Sequence, residues 1–402
     1  MAESPRGRED SQMEINNTEL QAILDKITGL RHELHRIPEA SMKEYKTKQA
    51  IMDFISDNTA LEIVDRGTWF YAAKKSEASV KRGAIAFRAD MDAVCGRDGL
   101  PGHYCGHDGH SSILAGLAVA IDGADMDRDV YLIFQPGEET GEGAKICSQL
   151  IKEKNIEEIY GLHNIPGHAF GNILVSSPDM VQEDSAESVK KAADKGMFRS
   201  TFACASTGLE ISLYGRPSHA AYPEAGINPG PVLAKLLLDI EELTRRVNEQ
   251  EGFVLMTLIG MEVGSANYGV AASGGTLRLT VRGEKEGIFD SYVERIKKLV
   301  LEASAQSGMG MKFEELERFP ATENYAENVE KVIECAGALG LTVEKLKEPM
   351  RWSEDFGWYL MMTKGAFFGI GDGEAYAQLH TQDYEFPDGI MGNAVRLFVG
   401  LI

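Results

Sequence analysis

Apolar residues at Leu20, Ile23, Leu24, Ile27, Leu30 and Leu34 recur at helical spacing, so a helix is predicted from Thr18 onward, and Pro38 closes the run. A second helix is predicted from Tyr45 to Ile55. The pattern then alternates. Strand-like runs at Ala84 to Arg88 and Val130 to Phe134 are separated by a helix that opens at Ser111 and carries the apolar stretch Ile113 to Ile121, and a helical stretch follows from Gly143 to Lys152. Near-continuous apolar strands between helices require a sheet covered on both faces, which reads as α/β. In such sheets, loops at the carboxyl ends of the strands converge on one crevice, so residues just beyond those ends are the places to seek chemistry.

From Leu209 the rhythm changes. Leu209 to Leu213 reads as a strand, Pro229 to Val247 as a long helix, Val254 to Val263 and Thr276 to Val281 as strands, Phe289 to Ser304 as a helix and Met311 to Glu317 as a closing strand. This βαββαβ order is the split unit of a ferredoxin-like domain. After Pro320 the α/β character returns, with a helix from Asn324 to Leu339 and a strand at Ala366 to Ile370. The chain is therefore divided into a larger domain made of residues 18–207 and 319–402, interrupted by a smaller one at 208–318. Asp179 to Gly196 fits neither and reads as a solvated excursion, with Ser185 placed to cap a short helix.

Charge narrows the function. Sixty-two acidic against 41 basic side chains give a net charge of −21, a field that repels phosphate backbones and anionic lipid and so excludes nucleic-acid and membrane-surface roles. Residues 1–16 read as a polar leader with charges where a secretory signal has its apolar stretch, and no run is long enough to span a bilayer, so a cytoplasmic location is expected. Five cysteines are an odd number thinly spread over 402 residues, which does not suit a disulfide framework.

The densest chemical signal is Cys105-Gly106-His107-Asp108-Gly109-His110, which follows His103. A thiolate and an imidazole two positions apart on a glycine-rich turn suit a borderline-soft metal. An isolated histidine is more often a satisfied polar residue, but three histidines and a cysteine within eight residues are not isolated. A second signal is Phe134 to Glu139, where an apolar strand runs into adjacent carboxylates, Glu138 and Glu139. One carboxylate on a metal and a second free to take a proton is the apparatus of metal-assisted hydrolysis. His163, after the run at Tyr160, and His380, after the strand at Ala366, complete four separated segments that each deliver a ligand type near a predicted strand end.

The order FRADMDA, CGHDGH, FQPGEE, GLHN, GRPSHAAYPEAGINP, SEDF and LHT resembles the metallo-amidohydrolases related to aminoacylase and zinc carboxypeptidases. The nearest branch holds indole-acetyl-amino acid hydrolases, hippurate hydrolases and N-acyl-amino acid deacylases. The resemblance implies a two-metal, zinc-peptidase-like catalytic domain interrupted by a ferredoxin-like lid, often a dimerisation domain, and hence a homodimer. It also implies that Cys105, His107, Glu139, His163 and His380 bind two divalent ions, manganese or zinc, with Glu138 as general base. By the same resemblance Asp92 supports the metal site, with Asp108 a lesser candidate; His219 polarises the scissile carbonyl and enters in some relatives from a partner subunit; and Asn267 and Arg278 face the substrate. The chain departs from its relatives in a short segment from Val94 to His103, in Glu224 where a histidine is frequent, and in Gly269-Val270-Ala271-Ala272 where an apolar-Pro-Asp segment is expected.

The expected activity is hydrolysis of the amide bond of an N-acyl amino acid or a related small conjugate. Cleavage of dipeptides, a carboxypeptidase activity or hydrolysis of an aminobenzoyl-glutamate would use the same apparatus. A metal-bound, inactive regulatory homologue is the alternative outside enzymes.

Overall fold

A computed structural model describes residues 15–96, 99–177 and 199–402. The leader and the excursion from Asp179 to Gly196 lie outside the described residues, apart from the end of the leader at Ile15 and Asn16. Asn16 caps the first helix, Asn17–Leu34: its side chain accepts from the backbone N–H of Thr18 and of Glu19 while the Glu19 carboxylate returns to the Asn16 N–H. The periodic residues Leu20, Ile23, Ile27, Leu30 and Leu34 form its buried face.

Eight strands make the main sheet, in the order Glu62–Asp65, Phe70–Lys74, Val130–Gln135, Ala84–Asp90, Ile156–Pro166, Lys364–Gly373, Ile173–Val175, Val343–Lys345. The four central strands are mutually parallel. Their carboxyl ends, at Gln135, Asp90, Pro166 and Gly373, therefore share one edge. One face is covered by Asn17–Leu34, Tyr45–Asn58, His107–Ile121, Ala326–Ala338 and Met391–Gly400 around a core that includes Phe87, Leu117, Phe368 and Phe398. The opposite face carries Ile133, Ile159, Phe356 and Phe367 with the short helices near Ala144 and Tyr359.

A second sheet, antiparallel and four-stranded, has the order Val254–Val263, Gly274–Gly283, Ala205–Tyr214, Gly310–Phe319. Helices Gly230–Gln250 and Glu286–Ser307 cover one of its faces, burying Leu209, Leu236, Leu277 and Tyr292 in a core of their own. Along Gly274–Gly283, buried residues alternate with partly exposed ones, as expected of a sheet with one dry face. Among the described residues, no helix is long and apolar enough to cross a membrane.

Three local readings are corrected. The helix expected at Ser111 begins at His107, because Gly106 takes a left-handed φ of +94° and turns the chain into it. The helix expected from Gly143 to Lys152 is two, Gly143–Cys147 and Gln149–Glu153, parted at Ser148, whose hydroxyl donates back to the Lys145 carbonyl. Asn324 does not open a helix. It lies in a strand, Thr322–Tyr325, and its buried amide takes the N–H and bonds the carbonyl of Phe367, tying that strand to the main sheet.

Candidate metal centre

The parallel strand ends deliver the chemistry. Ala84–Asp90 leads to Asp92, Val130–Gln135 to Glu138 and Glu139, and Ile156–Pro166 carries His163 within it. Cys105 immediately precedes Gly106, and His107 opens the helix His107–Ile121. Gly106 is required twice: its φ disfavours a side chain, and a Cβ there would stand 2.4 Å from Asn164 Oδ1. His380 also has a left-handed backbone, φ +62°, and its N–H donates to the Tyr104 carbonyl at 2.7 Å, which brings its ring back over Cys105.

The five expected ligands converge. His163 Nε2 is 3.4 Å and His380 Nε2 3.3 Å from Cys105 Sγ. Glu139 Oε1 is 3.8 Å from His107 Nε2 and 3.6 Å from His380 Nε2. The donor atoms of Cys105, His107 and His163 lie within 4.8 Å of one another, as do those of Cys105, Glu139 and His380, and those of His107, Glu138 and Glu139. Ligands on opposite sides of an ion at about 2.0–2.3 Å stand up to about 4.6 Å apart, so these overlapping triplets have the reach to hold cations. His107 Nε2 and Glu139 Oε1 are both buried with no hydrogen-bond partner, and a cation between them would satisfy both.

Electrostatics favours the same occupant. Burial, then Glu139, pushes the Cys105 thiol far up. Burial pushes Glu138 up, with Glu354, Glu139 and Asp355 adding to it. Glu139 is pushed up to about 7 by burial, with His107 opposing and Asp92 and Asp90 assisting. These are acids crowded together with His107 as the cationic group opposing them, surroundings in which a divalent ion would restore the thiolate and carboxylate forms. His163 is driven down by burial and by His110, which keeps its imidazole neutral for coordination.

Surrounding groups fix each ligand's direction. Asp92 accepts from the Ser41 hydroxyl at 2.7 Å and the Glu139 N–H at 3.0 Å, and its carboxylate and carbonyl face His107 Nδ1 at 3.2 and 3.0 Å. His107 thus presents Nε2 to the cluster. His163 Nδ1 stands 2.6 Å from the Asn164 carbonyl, leaving its Nε2 toward Cys105. Asp108 does not join this arrangement: its carboxylate meets His35 at 2.8 Å and Arg31 at 3.8 Å, behind the helix start.

Two groups of residues were not singled out from sequence as supports. His110 lies between Asp90 at 2.7 Å and Asn164 at 2.6 Å, and Asn164 continues to Asp372 and the Tyr384 hydroxyl. Arg88, fully buried, donates to Gln135, Asp90, Glu354 and Asp355 at 2.7–2.9 Å. Both lie within quoted motifs, CGHDGH, FRADMDA and SEDF, so position in a motif was the available signal and pairing was not.

His219, Asn267 and Arg278 stay outside the cluster. His219 lies on a two-stranded ribbon with Val270–Ala271, exposed, and takes the Ala221 N–H on Nδ1 at 3.0 Å. Asn267 is exposed and bonds the Gly269 N–H. Arg278 donates to Glu210 at 2.8 Å and Glu262 at 3.1 Å on the second sheet.

A cavity of about 490 Å³ opens onto Cys105, Glu138, Glu139, His163 and His380. Its apolar lining comes from Ile165, Pro166, Met350, Trp352 and Leu379, and among the described residues no lysine or arginine lines it.

The profile described as peptidase family M20/M25/M40 matches residues 86–402. The chain is 28% identical over 378 residues to an N-acetyldiaminopimelate deacetylase of Bacillus cytotoxicus, covering 89% of this chain and 93% of that one. It is 26% identical over 377 residues to the protein of the same name in Exiguobacterium sibiricum, covering 87% and 91%. Among solved structures, the YXEP protein of Bacillus subtilis, described as a dinuclear metal binding peptidase, superposes with a TM-score of 0.74 at 21% identity, covering 95% of this chain and 98% of that one. The aminobenzoyl-glutamate utilization protein of Klebsiella pneumoniae gives 0.70 at 18% identity, covering 96% and 97%.

Proposed function

We propose that this chain, which belongs to peptidase family M20/M25/M40, cleaves the amide bond of an N-acyl amino acid or a similar small conjugate. One observation carries the reading: Glu138, buried and left by this reading as the carboxylate that binds no ion, lines the cavity with an oxygen within 4.8 Å of donor atoms on His107 and Glu139. The deacetylase relatives, whose name specifies an N-acyl amino acid, support the same chemistry.

In this reading Cys105, His107, Glu139, His163 and His380 hold two divalent ions, manganese or zinc. When bound, such ions polarise a carbonyl and acidify water. Glu138 takes the proton of the attacking water on its carboxylate and returns a proton to the departing nitrogen. Asp92 keeps His107 in the tautomer that directs Nε2 inward. The unit of residues 208–318 acts as a lid between the two parts of the catalytic domain, 18–207 and 319–402. His219, on its exposed ribbon, donates to the oxyanion once the lid closes or a partner copy in a homodimer presents it, and Asn267 and Arg278 contact the substrate from the same unit. Five unpaired cysteines suit a reducing compartment, the cytoplasm.

The test is turnover of acetyl, hexanoyl, benzoyl, indole-acetyl and aminobenzoyl conjugates after reconstitution with manganese or zinc. Hydrolysis by the wild type and a kcat lowered roughly 10³- to 10⁴-fold in Glu138→Gln, with unchanged metal content, are expected. Failure on every conjugate with either metal overturns the reading, as does a Glu138→Gln enzyme of wild-type kcat.

A further inference from the structure

The cavity's composition says which half of such a substrate it takes. Apart from histidines, the charged side chains lining it are the carboxylates Glu138, Glu139 and Glu354. Glu354 is paired through Oε1 with Arg88 behind the cavity, while its Oε2 is buried without a hydrogen-bond partner, so a further carboxylate placed beside these acids would find no lysine or arginine among the described lining residues to receive it. An amino-acid half carries a carboxylate; an acyl half does not. The apolar wall therefore suits the acyl group.

That wall is also larger than an acetyl methyl can use. The cavity as a whole, the side lined by the candidate ligands included, is about 490 Å³, within the range of sites that enclose drug-sized ligands. Its bulkiest member, Trp352, sets its indole 5.4 Å from the His163 ring, tilted by 44°, and rests on Phe202 at 6.1 Å. The backbone behind it is fastened. Cys204 N–H reaches the carbonyls of Met350 at 3.0 Å and Trp352 at 3.2 Å, Met350 N–H donates to Phe202 at 2.8 Å, and Arg282 donates to the Arg351 carbonyl and the Ser353 hydroxyl at 2.9 and 3.0 Å. A surface pinned from both sides cannot collapse onto a small group.

We infer that Trp352, with Met350 beside it, is a specificity-determining surface that selects acyl groups bulkier and more apolar than acetyl. The inference rests on the amidohydrolase reading for its substrate, and it separates this chain from the N-acetyl preference in the name of its curated relatives.

Two measurements on the metal-loaded full chain test it. In the first, kcat/KM is compared for N-acetyl, N-hexanoyl and N-benzoyl forms of one amino acid. Burial of each methylene is worth about fourfold, so the hexanoyl and benzoyl forms are expected to exceed the acetyl form by at least about tenfold, through KM. The second needs no turnover: calorimetric binding of acetate, hexanoate and benzoate, with the two larger acids at least about tenfold tighter. Trp352→Ala is expected to erase most of both differences, and Trp352→Phe to keep most of them, which separates loss of the apolar surface from loss of folding. Acetyl equal to or better than the larger groups, a flat order of acid binding, or unchanged selectivity in Trp352→Ala overturns the inference. If no conjugate is turned over but the acids bind in the expected order, the wall assignment stands and the amidohydrolase reading falls.

Discussion

In the crevice at the parallel strand ends, several functional side chains are aimed by others: Asp92 by Ser41 and the Glu139 N–H, His107 by Asp92, His110 by Asp90 and Asn164, and these are buried or partly buried. On the second sheet and its ribbon, His219 and Asn267 bond only nearby backbone N–H groups and face solvent, while Arg278 is matched by two carboxylates. The difference teaches where the chemistry can be complete. The crevice holds its geometry within one fixed sheet, whereas the ribbon gains a role only by meeting something else, whether a closed lid or a second copy.

Breaking the crevice should therefore harm folding, and breaking the ribbon should not. Arg88 compensates Asp90, Glu354 and Asp355 inside the sheet, so Arg88→Met leaves buried carboxylates facing one another. A loss of roughly 3–5 kcal/mol in urea unfolding is expected; a loss below about 1 kcal/mol would show that the acids are not relying on it.

His219→Ala sharpens the other side. If the ribbon supplies an oxyanion donor, kcat falls about a hundredfold while metal content and urea midpoint stay at wild type. An unchanged kcat removes His219 from the chemistry. Asp92→Asn probes an intermediate case, since Asp92 touches a ligand without being one. Metal affinity is expected to fall about 10- to 100-fold by competition with a chelator, as for other partners of metal-bound histidines, with little change in the apo protein's unfolding.

The smallest effect lies behind the crevice. Burial pushes Asp372 up to about 6 against hydrogen bonds from Asn164 and Tyr384, which lower it. The native chain keeps this proton at a pH where the unfolded chain, near 3.8, has released it. The resulting stabilisation is complete below the lower value and fades as pH rises through about 6. Between pH 4 and 7 the wild type should lose more stability than Asp372→Asn; parallel urea midpoints across that range would contradict this.

The same contrast explains what could be read from the residues alone. Glu138 and Glu139 stand where an apolar strand gives way to polar residues, Cys105 and His107 flank a glycine at a helix start, and His163 interrupts an apolar run, so local pattern exposes them. Asp90 and Asp92 are two positions apart and indistinguishable by pattern; only packing shows that one braces His110 and the other His107. Short strands such as Glu62–Asp65 and Ile173–Val175 are too brief for alternation to show. The Trp352 wall depends on pairing with Phe202 and Cys204, residues far away along the chain, and leaves no local signature.

The central claim is that five side chains from separate segments hold two ions while Glu138 holds none. Equilibrium dialysis against manganese or zinc, followed by elemental analysis, tests it directly. Two ions per chain are expected for the wild type and for Glu138→Gln, and at most one for Cys105→Ala. Full occupancy in Cys105→Ala, or loss of an ion in Glu138→Gln, would contradict it.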